Sequence, residues 1–226
     1  NVDPEAPKII RDEPGSRMVS KVGASLAYDT RNNVQLPNRG QRTELFSEVA
    51  GGPLGGETDF YKLETRTSWY FPGFFEGNVW ELRGRAGVTE SYGSSAGDPV
   101  PLFDRYFLGG VGSLRGYKYR GVGPYSEEEP IGGNTYWFGS VEYSVPIIER
   151  LRFAVFYDIG NVYRDAYSFA LAEGQKFYND NWGVGIRLNI PRLGPLRLDY
   201  GIPMTHDEFS RGSGRFQFSV SYTADY

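Results

Sequence analysis

Phe60-Tyr-Lys-Leu-Glu-Thr-Arg-Thr-Ser-Trp-Tyr-Phe71 alternates strictly in character. Tyr61, Leu63, Thr65, Thr67, Trp69 and Phe71 fall on one face, and Lys62, Glu64, Arg66 and Ser68 on the other. A period of two predicts a β-strand whose two faces meet different surroundings. The next run, Asn78–Glu90, repeats the pattern, with Trp80, Leu82, Gly84, Ala86 and Val88 set against Glu81, Arg83 and Arg85. Toward the N-terminus, Ser20–Thr30 places Val22, Ala24, Leu26 and Tyr28 on one face, and Gln41–Gly51 sets Leu45 and Val49 against Glu44 and Glu48. Toward the C-terminus the same alternation fills Tyr136–Pro146, Leu151–Tyr163, Asn181–Ile190, Pro195–Gly201 and Arg215–Tyr226. These runs predict nine strands joined as consecutive antiparallel hairpins. Short turns at Glu149-Arg150 and Pro191–Gly194 alternate with long connections over 91–135, 164–179 and 202–214. Within the second connection, Phe169–Glu173 has the composition for a single helical turn. Residues 1–19, charged and containing three prolines, are read as irregular.

The two faces decide the class. Hydrophobic residues make up 39% of the 226, and no apolar run approaches the roughly 20 residues of a membrane helix. A transmembrane β-barrel hides its hydrophobicity from such a scan, because lipid-facing and lumen-facing residues alternate. Strands of ten to twelve residues are long for a water-soluble domain, yet match a tilted bilayer crossing. An Arg or Lys facing lipid at mid-membrane costs roughly 2–4 kcal/mol. The face carrying Lys62, Glu64, Arg66, Glu81, Arg83, Arg85, Glu142, Arg152, Asp158, Arg187, Arg197 and Asp199 must therefore line a wet lumen. Aromatics gather near strand ends (Tyr28, Trp69, Phe71, Trp80, Trp137, Trp182, Tyr200, Tyr226), where membrane interfaces lie. The alternative, a soluble barrel or sandwich with this face inward, would crowd too many aromatic rings into a small interior. The reading is an all-β, up-and-down antiparallel transmembrane β-barrel over 20–226. Nine strands leave two open edges, which lipid does not tolerate, so the chain is expected to be part of a larger barrel or to pair with other strands.

The connection over 91–135 is unusually long, and loops of this length are seldom idle. Its centre reads Val111-Gly-Ser-Leu-Arg-Gly-Tyr-Lys-Tyr-Arg-Gly-Val-Gly-Pro124. The tetrad Leu114-Arg115-Gly116-Tyr117 resembles the conserved loop motif of the outer-membrane assembly superfamily typified by BamA. Further stretches resemble that family in order: Tyr28–Arg31 with Leu36–Gly40, Phe103–Gly110, Phe156–Asn161, and Gly183–Arg187 with Gly194–Tyr200. The resemblance implies a sixteen-stranded barrel of which this chain supplies about the last nine strands. It implies that Arg115, with Gly116 and Tyr117, folds into the lumen as a latch onto the inward carboxylates Glu142 and Asp158. It also implies a C-terminal targeting signal, matched here by Phe216, Phe218, Tyr222 and Tyr226, with Ala224 where a second bulky residue is common.

The function implied is a non-enzymatic insertase barrel of the bacterial outer membrane. Its partners would be the lipid bilayer, nascent outer-membrane proteins, periplasmic domains of the same chain and accessory lipoproteins. The alternatives are a two-partner-type polypeptide secretion transporter of the same superfamily, or a passive pore. Other chemistry is thin. A net charge of −4 argues against nucleic acid as a partner. The absence of Cys excludes a disulfide scaffold and a thiolate metal site. Gly51–Gly56 lacks the Lys of a phosphate loop. The single His206, beside Asp207 and Glu208, is read as solvated. No cofactor and no metal are expected.

Overall fold

The structure, a computed structural model, describes residues 17–126, 128–190, 194–205 and 213–220. Residues 1–16, His206, Tyr222 and Tyr226 lie outside these, and with them most of the segment read as irregular. Eleven strands are present among the described residues: β1 (Lys21–Asp29), β2 (Gly40–Ala50), β3 (Phe60–Pro72), β4 (Val79–Ser91), β5 (Tyr125–Ser126), β6 (Glu129–Pro130), β7 (Thr135–Ile148), β8 (Leu151–Tyr163), β9 (Asn179–Ile190), β10 (Gly194–Pro203) and β11 (Arg215–Val220). Nine of them form one antiparallel sheet in the order β1-β2-β3-β4-β7-β8-β9-β10-β11, and β5 and β6, two residues each, form a separate two-stranded antiparallel pair inside the long loop. Among the described residues the sheet does not close on itself, and β1 and β11 are its edges.

The architecture follows from the period-two pattern, which gives each strand one apolar and one polar face. The apolar face is the exposed one. Leu26 is 73% accessible, Leu45 55% and Trp182 44%, whereas Asp158 is 0% accessible and Glu142 3%. This is the reverse of a water-soluble protein and is what a lipid-embedded sheet requires. Strands β3, β4 and β8 have 13 residues each, a length of about 43 Å, or about 30 Å of bilayer at a 45° tilt.

Two local details differ from the sequence reading. Phe169–Glu173 forms no helical turn. Its backbone is held instead by local side-chain bonds: Ala170 N–H donates to Ser168 Oγ (3.1 Å) and Ala172 N–H to Gln175 Oε1 (3.1 Å). Such bonds compete with helix formation. Strand β7 also runs two residues past Pro146, with a register shift between Pro146 and Ile148. Proline has no N–H for the ladder, so the bulge falls where a bond is already missing.

At the long-loop rim, Asp59 knots two connections together. Its carboxylate accepts from Gly52 N–H (2.7 Å), Ser94 N–H (3.0 Å) and Ser94 Oγ–H (2.6 Å). The Ser94 hydroxyl, then the two backbone donors, hold this carboxyl below its ordinary range. A depressed folded value means the stabilisation is complete above the unfolded value of about 3.9 and fades as pH falls through the folded one. Segments 52–59 and 93–95 are therefore expected to keep their amide-exchange protection down to about pH 4 and lose it together below that. Loss already at pH 5–6 would show that another group controls the knot.

Candidate functional site

The connection from β4 to β7 does not project outward. It lies on the polar face of the sheet and builds an apolar core there: Tyr106, Leu108, Leu114, Tyr117 and Val122 pack with Tyr136, Phe138 and Val162 from β7 and β8. Tight backbone bonds shape its tip, among them Ser113 N–H to Gly110 O (3.1 Å), Tyr117 N–H to Leu114 O (3.1 Å) and Gly121 N–H to Lys118 O (2.8 Å). These bonds satisfy part of the tip's backbone from within, and Asp158 takes the Arg115 N–H at 3.3 Å, as a buried loop requires.

Arg115 stands at the centre, 1% accessible. Its Nε and Nη2 form a fork on Asp158 of β8, at 2.8 and 2.7 Å. Its Nη1 reaches Glu142 of β7 at 2.7 Å and lies 3.5 Å from Asp199 of β10. The guanidinium also covers the ring of Phe156, 3.4 Å from the centroid, and Nη2 donates to Ser140 Oγ at 3.3 Å. Burial opposes its charge, but Asp158, Glu142 and Asp199 together hold the group well above its already high ordinary value. Its planar set of five donors suits this many-sided site in a way a lysine ammonium does not.

A second guanidinium completes the cluster. Arg187 of β9 binds Glu142 through Nε (3.0 Å) and Nη2 (2.7 Å), and Asp199 through Nη1 (2.6 Å). Asp158 further accepts from Ser140 Oγ–H (2.7 Å) and Asn181 Nδ2–H (3.1 Å). Two cations and three carboxylates thus share one buried network spanning β7 to β10. Among the described residues Asp158 has Arg115 as its only ion-pair partner, while Glu142 and Asp199 also hold Arg187.

The floor of the site is glycine. A side-chain carbon on Gly116 would come within 2.7 Å of Asn181 Cβ and 3.0 Å of the Pro203 nitrogen, and one on Gly201 within 2.6 Å of the Gly116 nitrogen. Loop and sheet backbones therefore approach as closely as they do because neither carries a side chain there. Tyr117 is buried beside them, its hydroxyl in contact with the carbonyls of Asp180 (2.9 Å) and Thr205.

The structure thus brings together Arg115, Gly116, Tyr117, Glu142 and Asp158. It adds Arg187, Asp199, Ser140, Asn181 and Phe156, which sequence reasoning placed on strands but not in the site. Phe216 and Phe218 lie on the exposed apolar face of β11, 74% and 64% accessible. Among the described residues, no group of three or more His, Asp or Glu side chains is placed to hold a metal ion. The three carboxylates of the network are occupied by guanidiniums instead.

Comparison with known proteins gives concordant matches. The Omp85 superfamily domain matches residues 3–224. The chain is 33% identical over 227 residues to an outer membrane protein assembly factor BamA from Nitratidesulfovibrio vulgaris, covering 97% of this chain and 27% of that protein. It is 27% identical to a SAM50-like protein of Drosophila melanogaster (96% of this chain, 48% of that protein). It is 28% identical to the human sorting and assembly machinery component 50 homolog (86% and 43%). The chain thus spans between about a quarter and a half of the relatives it matches. Its fold superposes on a crystal structure of Haemophilus ducreyi BamA lacking POTRA domains 1–3 with a TM-score of 0.74, at 24% identity, over 88% of this chain and 41% of that one.

Proposed function

We propose that this chain, which belongs to the Omp85 superfamily, is the membrane-embedded part of a protein assembly factor of a bacterial outer membrane. The observation that carries the reading is a loop arginine buried against sheet carboxylates inside a sheet whose outer face is apolar, in a chain one-third identical to an assembly factor. On this reading the nine strands belong to a larger barrel. Its substrates are nascent outer-membrane proteins, and periplasmic domains of the full-length protein and accessory lipoproteins work with it. The barrel makes and breaks no covalent bond. A free strand edge offers a row of N–H and C=O groups that lipid cannot satisfy, so an incoming strand gains by pairing there. Arg115 then serves as a structural latch, holding the loop in the lumen and bracing β7–β10 while the edges exchange partners. Phe216 and Phe218, presented to lipid on β11, serve in the C-terminal signal.

The test is reconstitution of the full-length protein into liposomes, followed by addition of a urea-denatured outer-membrane barrel. Faster folding of that barrel than in empty liposomes is the expected outcome. Transfer of a polypeptide into the vesicle interior without insertion would identify a transporter, and ion conductance alone a pore.

A further inference from the structure

Strand β11 is held by more than its ladder with β10. Its lumen-side positions are Arg215, Gln217 and Ser219, since Phe216, Phe218 and Val220 face outward. Gln217 lies opposite Asp199 in the register. Its Nε2 donates to the carbonyl oxygens of both Arg115 and Tyr117, each at 3.2 Å, across 102 and 100 residues of sequence. A primary amide has two N–H donors, so one side chain satisfies two acceptors. Those two carbonyls flank Gly116, whose backbone presses on Gly201 of β10. The guanidinium of the same Arg115 is fastened to β7 and β8. A continuous chain of contacts therefore runs from the sheet edge, through one amide, to the centre of the buried ion network.

We propose that Gln217 is a tether coupling the edge strand to the arginine loop, so that release of β11 and withdrawal of the loop tip occur as one event. The coupling stands on the geometry alone; its use in substrate insertion rests on the assembly reading given above. Gln217 acts through the loop backbone and is a positioning residue. A donor is what the site needs: Gln217→Met keeps the length without donors, and Gln217→Glu turns carboxylate oxygens toward two carbonyl oxygens.

The experiment is hydrogen exchange on the full-length protein in lipid nanodiscs, following peptides from 107–123, 215–220 and, as a reference, 60–72. Losing two hydrogen bonds of ordinary strength is expected to speed exchange by on the order of tenfold. Gln217→Met and Gln217→Glu should both show this in 107–123 and 215–220, with 60–72 unchanged. Gln217→Asn, which keeps the donors on a shorter arm, should fall between. Reciprocally, Arg115→Lys in a chain retaining Gln217 should speed exchange in 215–220. This arm keeps the test valid even where a Gln217 variant fails to fold. Faster exchange confined to 215–220 in the Gln217 variants, or an Arg115→Lys effect confined to the loop, would overturn the tether. Coupled exchange in a protein that does not accelerate barrel folding would instead overturn the assembly reading and leave the tether standing.

Discussion

Arg115→Ala is expected to lower the stability of the lumenal loop and its strands by about 3–5 kcal/mol, the usual result of removing one partner from a buried ion pair. The large value follows from what is left behind. Asp158 is fully buried, and without the Arg115 guanidinium it keeps only neutral donors: the Ser140 hydroxyl, the Asn181 amide and, at 3.3 Å, the backbone N–H of residue 115. Glu142 and Asp199 still share Arg187, so a single cation remains among three carboxylates. The Phe156 ring also loses its cation. Arg115→Lys should recover only part of the loss, because one ammonium cannot grip Asp158 through two nitrogens and reach Glu142 as well. Urea unfolding of the full-length protein in bilayers, read by heat-modifiable gel mobility, measures the effect. A change below about 1 kcal/mol would place Arg115 in the class of solvated surface pairs and remove the latch.

Val141→Arg is expected to cost about 2–4 kcal/mol in the same assay, the penalty for a cation facing lipid at the bilayer midplane. Val141 is the seventh of fourteen residues in β7, lies on the exposed face, and is flanked across the ladder by Leu82 and Tyr157, also exposed. On a water-facing surface the same change would fall within about 0.5 kcal/mol. The two surroundings thus predict clearly different numbers for one substitution. A near-zero result would mean that this face of the sheet meets water.

The strands were legible because apolar and polar residues alternate along most of their length, so parity alone assigns Glu142, Asp158, Arg187 and Asp199 to one face. Depth was legible only between neighbours: Glu142 pairs with Phe156, two residues from Asp158, on the next strand. Arg187 and Asp199 were not seen as partners of Arg115 and Glu142, because reaching them depends on how the sheet brings distant strands toward one loop. Gln217 was invisible for a different reason. Its acceptors are backbone carbonyls, which leave no trace in side-chain chemistry. The glycine floor carried a signal that went unused: Gly201, which takes the loop backbone, pairs in the ladder with another glycine, Gly183, where strands would ordinarily carry side chains to pack. The expected helical turn at Phe169–Glu173 failed because the flanking Ser168 and Gln175 side chains take the N–H groups of Ala170 and Ala172.

The span of the loop's contacts has a consequence for the order of folding. Arg115 reaches 27 residues along the chain to Glu142 and 43 to Asp158, Tyr117 reaches 63 to Asp180, and Gln217 returns over 102 to Arg115. Local hairpin pairing closes small loops first, whereas contacts at such separations must wait until the intervening strands are in place. The arginine network is accordingly expected to form late, after the transition state for strand assembly. Weakening it should leave the folding rate nearly unchanged and appear as faster unfolding. On the proposed reading, the latch would set how long the finished sheet persists and have little influence on how quickly it forms.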